Sequence, residues 1–169
     1  MAGSTLPSPA VDPWTGTLYM AYEGSDFSAG RFDSVQLVRS TDGGRPWGTP
    51  VPISPEGVAA FSPSIAVDER GTVALTYYDL RFLEPGNTTT LPTAHQLATL
   101  RHGDPKSRTE RRISRVFDWL RAPFARGYFL GDYQGLAADG KGVRAVLTEA
   151  DSGAPQHRTD VYTGTFRTG

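Results

Sequence analysis

The sequence contains no cysteine, which removes two common means of stabilising or equipping a small domain. Without thiols the chain can form neither disulfide bonds nor thiolate metal ligands. The histidines, His95, His102 and His157, are too scattered along the chain to suggest a metal site. We therefore expect a protein with no disulfide, no metal and no organic cofactor.

The sequence also lacks an excess of charge of either sign and lacks a long apolar run. Lys and Arg total 17 against 18 Asp and Glu, for a net charge of −1, so no overall field favours a nucleic acid. No apolar stretch reaches the length of a membrane span, and the N-terminus lacks the pattern of a signal peptide. We expect no nucleic-acid or membrane partner; if the protein is secreted, its signal lies outside this sequence.

Turn-forming residues are abundant and favour an all-β protein. The chain has 19 glycines and 13 prolines between short β-rich runs, a composition that argues against a helical domain. The one stretch with helical apolar spacing is "SRVFDWLR" at 114–121, where we expect at most one helical turn.

A motif that recurs three times organises the chain. The stretches at 8–25, 63–81 and 134–153 each have a small or apolar strand, an aspartate (Asp12, Asp68 or Asp139), a short glycine-containing turn and a second strand. A third strand follows each motif, and a fourth follows the first two. Such recurrence predicts blades at about 7–54, 62–114 and 129–169 of a single propeller segment spanning 1–169. Three blades do not close a propeller, so the fold expected is a partial β-propeller with four-stranded antiparallel blades.

The turn "RSTDGGRPWG" at 39–48 lies between the third and fourth strands of the first blade. Ser40 and Asp42 can accept hydrogen bonds from backbone amides, and Gly44 tolerates a positive φ. Trp47 can fold back over the turn and bury a large apolar face. We interpret the stretch as a structural fastener, in which Asp42 is not an acid catalyst.

Strand alternation divides the loops between two edges of the propeller. The first-to-second and third-to-fourth strand turns share one edge, called the turn edge here. The longer connections at 23–33, 79–93, 114–130 and 150–158 share the opposite loop edge. Binding and catalytic residues usually occur on long loops held by a rigid scaffold, so we expect any site at the loop edge.

These residues resemble the Asp-box, or BNR, repeat of the six-bladed sialidase-like propellers. Ser40, Asp42, Gly44 and Trp47 match the repeat, and "LRHGDPKS" in the second blade is a worn copy. "YYDLR" and "FLGDYQGLAA" look like secreted bacterial members of the family, and the chain resembles their C-terminal half. The resemblance implies an extracellular protein. Non-enzymatic propellers carry the same repeat, so it indicates fold more than chemistry.

In the enzymes of this family a tyrosine activated by a glutamate is the nucleophile, an exception among glycosidases. Tyr133 is followed by Leu136, Asp139, Gly140 and Glu149 in the family's order, which makes it the nucleophile candidate. A phenol of pKa near 10 needs an adjacent base, which Glu149 or Asp132 could supply. The alternative is a tyrosine buried at the inner edge of a blade.

The family also grips the substrate carboxylate with three arginines. Arg81, with Asp79 beside it, is the substrate-binding candidate, since a guanidinium fits a carboxylate bidentately. The alternative is an ion pair between Arg81 and Asp79 alone. Another family arginine has no counterpart, because His95 and Gln96 occupy its position.

Two functional hypotheses follow. The first is part of a sialidase-like glycoside hydrolase that cleaves terminal sialic acid-type glycosides once complete. The second is a non-catalytic propeller that binds a glycan or a protein. The expected partners are a glycan or anionic sugar, and either the remaining blades or a second copy of the chain. We expect the chain alone to be inactive.

Overall fold

Twelve antiparallel β-strands form three successive sheets in a computed structural model that describes residues 6–154 and 156–169, with only the backbone for 151–154. Sheet 1 has the order β1-β2-β3-β4. Its strands are β1 (Ser8–Val11), β2 (Leu18–Gly24), β3 (Ser34–Ser40) and β4 (Val51–Pro52).

Sheets 2 and 3 repeat this meander. Sheet 2 comprises β5 (Ala60–Val67), β6 (Thr72–Asp79), β7 (Pro92–Arg101) and β8 (Thr109–Arg112), and β9 (Phe117–Asp118) also pairs with β7. Sheet 3 comprises β10 (Gly135–Ala138), β11 (Gly142–Ala154) and β12 (His157–Arg167). Short 3-10 turns lie at Asp26–Ser28, Pro105–Ser107 and Trp119–Arg121.

The architecture is an all-β partial propeller, as the repeat predicts. The first strands of the sheets, β1, β5 and β10, lie beside one another, so successive sheets stack about a common line. The 3-10 turn at Trp119–Arg121 is the single helical turn expected in that stretch. In the described part of the chain, no helix has the length and apolar character needed to cross a membrane.

Sheet 2 is packed on both faces. All eight residues of its second strand, β6, are buried. One face of sheet 2 meets sheet 1 through a cluster that includes Leu75, Leu100 and Val35. The other face meets sheet 3 through Leu97 and Val143 near the turn edge, and through an aromatic cluster near the loop edge. The hydrophobic core is therefore two intersheet layers.

Two of the three repeated aspartates, Asp12 and Asp68, fasten the first turn of their sheets. Asp68 is buried and accepts hydrogen bonds from the backbone N–H groups of Arg70 and Thr72 and from the Thr168 hydroxyl. Burial alone would raise its pKa, but these hydrogen bonds outweigh burial and lower it. Asp12 has a similar environment. Asp139 is more exposed, and its carboxylate pairs with Arg144.

The 39–48 turn has the hydrogen bonds expected of it. The Ser40 hydroxyl lies 2.7 Å from the Asp42 carboxylate and accepts from the Gly44 N–H, while Asp42 accepts from the Arg45 N–H. Gly44 has a φ of +93°, which a side chain would oppose. Trp47, however, is 39% exposed, so the expectation that it buries a large apolar face holds only in part.

Two segments differ from the prediction. The fourth strand of sheet 1 is confined to Val51–Pro52, since prolines flank and end it. The expected loop at 150–158 is instead a continuation of the β11–β12 ladder, in which Ala150 pairs with Thr159 and Ala154 with His157. The sequence predicts a loop here because Asp151, Ser152, Gly153 and Pro155 are turn-forming residues, whereas in the structure the ladder shifts register between Ala150 and Ala154.

Replacing Asp68 by alanine will destabilise the fold far more than the matched Asp139→Ala change. Asp68→Ala leaves the backbone N–H groups of Arg70 and Thr72 without their acceptor and removes the bond from the Thr168 hydroxyl, for a loss of about 2–3 kcal/mol in the free energy of unfolding. Asp139→Ala removes an exposed pair worth less than about 0.5 kcal/mol. Urea denaturation measures both free energies of unfolding.

The contribution of Asp68 to stability also depends on pH. Because hydrogen bonding lowers the pKa of Asp68, this contribution to the free energy of unfolding is present above the unfolded pKa near 4 and fades on acidification. Equal losses for the two variants at neutral pH would contradict this account.

Trp47 and Trp119 provide a second comparison. Trp119 is buried, and its ring stacks on that of Phe61 with a centroid distance of 4.2 Å. Trp119→Ala should therefore lower the free energy of unfolding by about 3–5 kcal/mol. Trp47→Ala removes less buried area and should lower the free energy of unfolding by under about 3 kcal/mol. We expect this change to affect stability and not ligand binding. Thermal and urea unfolding of the two variants will test the order. A Trp47 variant of unchanged stability that no longer binds a ligand would refute the fastener interpretation.

Candidate functional site

The loop edge presents Tyr133 to solvent. Tyr133 lies two residues before β10 and is 78% exposed, so it is not the inner-edge core tyrosine of the alternative interpretation. Asp132 beside it is also exposed. The segment that leads to Tyr133 is anchored by Trp119 and Leu130, which are buried against sheet 2. The phenol is thus carried by a tethered loop at the mouth of the propeller.

Tyr78 of β6 fixes the residue next to Tyr133. Its hydroxyl accepts from the Thr148 N–H at 3.1 Å and lies 2.6 Å from the Thr148 carbonyl and 3.1 Å from the Gln134 side-chain oxygen. Burial raises the pKa of Tyr78 well above its usual value, so it remains a neutral phenol. Sheet 2 therefore holds both β11 and the start of the Tyr133 strand.

Glu149, the expected base, has another partner. Its carboxylate is buried and pairs with the Arg115 guanidinium at 2.5 Å. Arg115 in turn lies over the Tyr162 ring and 3.2 Å from its hydroxyl. These residues line an open crevice of about 310 Å³ between sheets 2 and 3. The described contacts therefore connect Glu149 with the intersheet crevice and not with Tyr133.

Arg81 is part of a charge network whose members all come from sheet 2 and its connecting segments. Its guanidinium bonds Asp79 at 2.6 Å and pairs with Glu110 at 2.5 Å. Glu110 also accepts a hydrogen bond from the Tyr77 hydroxyl and pairs with Arg108. The Gln96 side-chain amide donates a hydrogen bond to Asp79. The ion-pair alternative therefore describes Arg81 in this chain, with Glu110 as an added partner that the sequence did not suggest.

The titration of this network follows from its burial. Asp79 is fully buried, and burial raises its pKa despite the opposing bond from Arg81. Burial would raise the pKa of Glu110 as well, but its bonds from Tyr77, Arg108 and Arg81 lower it. Burial lowers the pKa of Arg81, yet the two carboxylates more than compensate and raise it overall. The Arg81 guanidinium is thus paired with two carboxylates of the protein itself, those of Asp79 and Glu110.

His95 lies where the sialidase resemblance implies an arginine, and it cannot act as one. Its ring is fully buried and stacks on Tyr78 at 4.3 Å. Burial lowers the pKa of His95 to about 3, so the ring is neutral and has no charge with which to hold a carboxylate.

The sequence analysis missed Glu23 as a candidate. Glu23 lies near the end of β2, is buried, and accepts the Ser62 backbone N–H of sheet 2 at 2.8 Å. Burial raises its pKa, with a further rise from Asp33 and an opposing effect of the Ser62 bond. A carboxyl of raised pKa at the loop edge is a candidate proton donor. The sequence feature that could have identified Glu23 is its position near the end of the second strand of its sheet, which matches the position of Tyr78 in sheet 2.

No group of three or more potential His, Asp or Glu ligands is arranged to hold a metal among residues 6–154 and 156–169.

Comparison with known proteins supports the architecture. No family model matches the sequence, and no curated protein sequence matches it. Among solved structures, the chain is similar to one described as Hadza microbial sialidase Hz136, with a TM-score of 0.56 and 15% identity. The match covers 94% of this chain and 30% of that one, so the chain spans about a third of its neighbour. At this identity the likeness shows a sialidase-like fold.

Arg81→Ala will test the charge network. The change leaves Asp79 buried without its cation, and we expect the free energy of unfolding to fall by roughly 3 kcal/mol or more. Arg81→Lys keeps the charge and should lose less. Without Arg81 the pKa of Asp79 rises further, so the deficit of Arg81→Ala should grow as pH rises from about 4 to 7. Urea unfolding across that range is the measurement; a deficit that shrinks with pH would show that Asp79 does not depend on Arg81.

Proposed function

We propose that the chain is the C-terminal half of a sialidase-like propeller that acts on terminal sialic acid-type glycosides when the remaining blades are in place. The observation that carries the proposal is Tyr133, an exposed phenol on a tethered loop at the loop edge of a sialidase-like fold. Secretion is part of the proposal, on the resemblance alone.

The chemistry would run through Tyr133. Its Oη attacks the anomeric carbon and gives up its proton to a base, while the bond to the departing sugar oxygen breaks and an acid protonates that oxygen. Water then cleaves the glycosyl–tyrosine bond and regenerates the phenol. Asp132 is the adjacent base in this chain, and Glu149 can serve only after it leaves Arg115. Glu23 supplies a carboxyl suited to proton donation.

A complete site needs more than these residues. The substrate carboxylate requires cations, and Arg81 is bonded to Asp79 and Glu110. The arginines that grip the anionic sugar must therefore come from other blades. Losing one preorganised charge partner commonly costs two to three orders of magnitude in rate, so the chain alone should not turn over.

The second candidate is a non-catalytic propeller that binds a glycan or protein. It is favoured by the neutral, buried His95 in place of the family arginine and by the internal ion pair of Glu149. Under this candidate Tyr133 is an exposed aromatic platform for a sugar ring, and its hydroxyl is dispensable.

The two candidates give different outcomes with a fluorogenic sialoside. The 169-residue chain should show no turnover above background, and the chain joined to its remaining blades should be active. In the active form, Tyr133→Phe should lower kcat at least ~100-fold, and Asp42→Ala, on the turn edge, should leave kcat within about twofold. A fluorinated sialosyl fluoride should label Tyr133, as located by peptide mass spectrometry. An active Tyr133→Phe variant, or unlabelled Tyr133 in an active protein, would reject Tyr133 as the nucleophile. Absence of turnover in the chain joined to its remaining blades would favour the binding role.

A further inference from the structure

A cavity lies between sheets 1 and 2, beside the last strand of each. Its volume is about 400 Å³, within the range of about 300–1,000 Å³ that is typical of small-molecule sites. The loop between β2 and β3, the end of β4 and the segment after β4 form one wall, and Arg108, immediately before β8, forms the other. The cavity is therefore built from sheets 1 and 2, whereas Tyr133 precedes the first strand of sheet 3.

The wall that belongs to sheet 1 is apolar. Phe27 and Phe32 present aromatic rings to the cavity, and Pro52 and Pro55 present pyrrolidine rings. Phe27 is 49% exposed, so its ring is available to a ligand. Aromatic and proline rings offer flat apolar surfaces, and this wall can therefore bury an apolar body.

Hydrogen bonds hold the loop that carries the two phenylalanines in place. The Ser28 hydroxyl accepts the Phe32 N–H at 3.1 Å and lies 3.0 Å from the Ser25 carbonyl oxygen. Arg31 Nε donates to the Ser28 carbonyl at 3.0 Å. The loop is thus ordered by its own contacts, and a ligand would not have to pay the entropy of ordering it.

The remaining part of the lining is charged. Arg108 pairs with Glu110 through Nη2, its side chain is 30% exposed, and no bond to its Nη1 occurs in the part of the chain that the structure describes. Arg31 adds positive charge nearby, because its guanidinium lies 5.9 Å from the centre of the Phe32 ring. The exposed carboxylate of Glu56 also lines the cavity. An available guanidinium group thus stands opposite an apolar wall.

We propose that this cavity binds a small monocarboxylate with an apolar body. The carboxylate lies on Arg108, since a guanidinium presents its N–H groups in the plane that a carboxylate matches. The body packs between Phe27, Phe32 and the prolines. Glu56 disfavours anions that carry more than one charge. The site is separate from Tyr133, and the proposal is independent of the chemistry proposed for that residue.

The test titrates the isotope-labelled 169-residue chain with three probes and follows its backbone amides by NMR. Phenylacetate has both the charge and the ring, and should bind with a Kd of about 1 mM or lower while shifting amides near Phe27 and Glu56. Phenylacetamide lacks the charge and acetate lacks the ring, so each should bind at least ~10-fold more weakly. No binding of phenylacetate at about 10 mM, or equal Kd values for phenylacetate and its amide, would overturn the proposal.

Charge-changing variants test the site with effects of opposite sign. Arg108→Gln should weaken phenylacetate binding at least ~10-fold, whereas Glu56→Gln should tighten it about twofold by removing a like charge. Arg101→Gln is the matched control, since Arg101 is exposed and does not line the cavity, and its Kd should stay within about twofold of wild type. Circular dichroism and melting verify that each variant is folded.

Phe27→Ala replaces Arg108→Gln if the latter unfolds, because Phe27 is half exposed and its truncation should raise the Kd at least ~3-fold. Wild-type affinity in Arg108→Gln or in Phe27→Ala would overturn the proposal. Weaker binding in Glu56→Gln, or an equal loss in Arg101→Gln, would overturn it as well.

Discussion

The burial of β6 between two sheets is the constraint on which the remainder of the structure depends. A strand covered on both faces must be apolar or must satisfy each polar group internally. Leu75 and Val73 meet the first condition, and Tyr77, Tyr78 and Asp79 can meet only the second. Their partners come from β8, the residue before β10, β11 and the segment after β6. Sheets 2 and 3 are therefore joined by specific polar bonds as well as by apolar packing.

This constraint explains the state of the arginines at the loop edge. Asp79 is wholly inside the protein and would carry an uncompensated charge without Arg81. Glu149 lies in the corresponding place on β11 and takes Arg115 in the same way. In both cases a guanidinium that could hold a substrate carboxylate is used to neutralise a buried carboxylate. The stability of the intersheet layers thus limits what the loop edge can offer a ligand.

The sequence predicts the fold better than it predicts the site. The turn aspartates, glycines and alternating strands give local signals, because Asp12 and Asp68 bond atoms within a few residues of themselves. The partners that decide the site are remote. Arg81 and Glu110 are 29 residues apart in the sequence, and Arg115 and Glu149 are 34 residues apart. No local sequence pattern therefore predicts either ion pair. The loop predicted at 150–158 fails for a different reason, since the turn-forming residues at 151–155 conceal a ladder that pairs Ala150 with Thr159 and Ala154 with His157.

Reactivity at the loop edge depends on how rigidly Tyr133 is held and on what approaches it. Rigidity comes from within the chain, because Tyr78 binds Gln134 and Thr148 while Trp119 and Leu130 pack on the aromatic cluster. The activating base does not follow from the same contacts, since buried carboxylates near the loop edge already have partners in Arg81, Arg115 and the Ser62 N–H. A scaffold that orients a phenol and neutralises its own carboxylates is suited to receive charge from a neighbouring group of blades. The position of Tyr133 is thus set by contacts within the chain, while the buried carboxylates of Asp79 and Glu149 are held by Arg81 and Arg115.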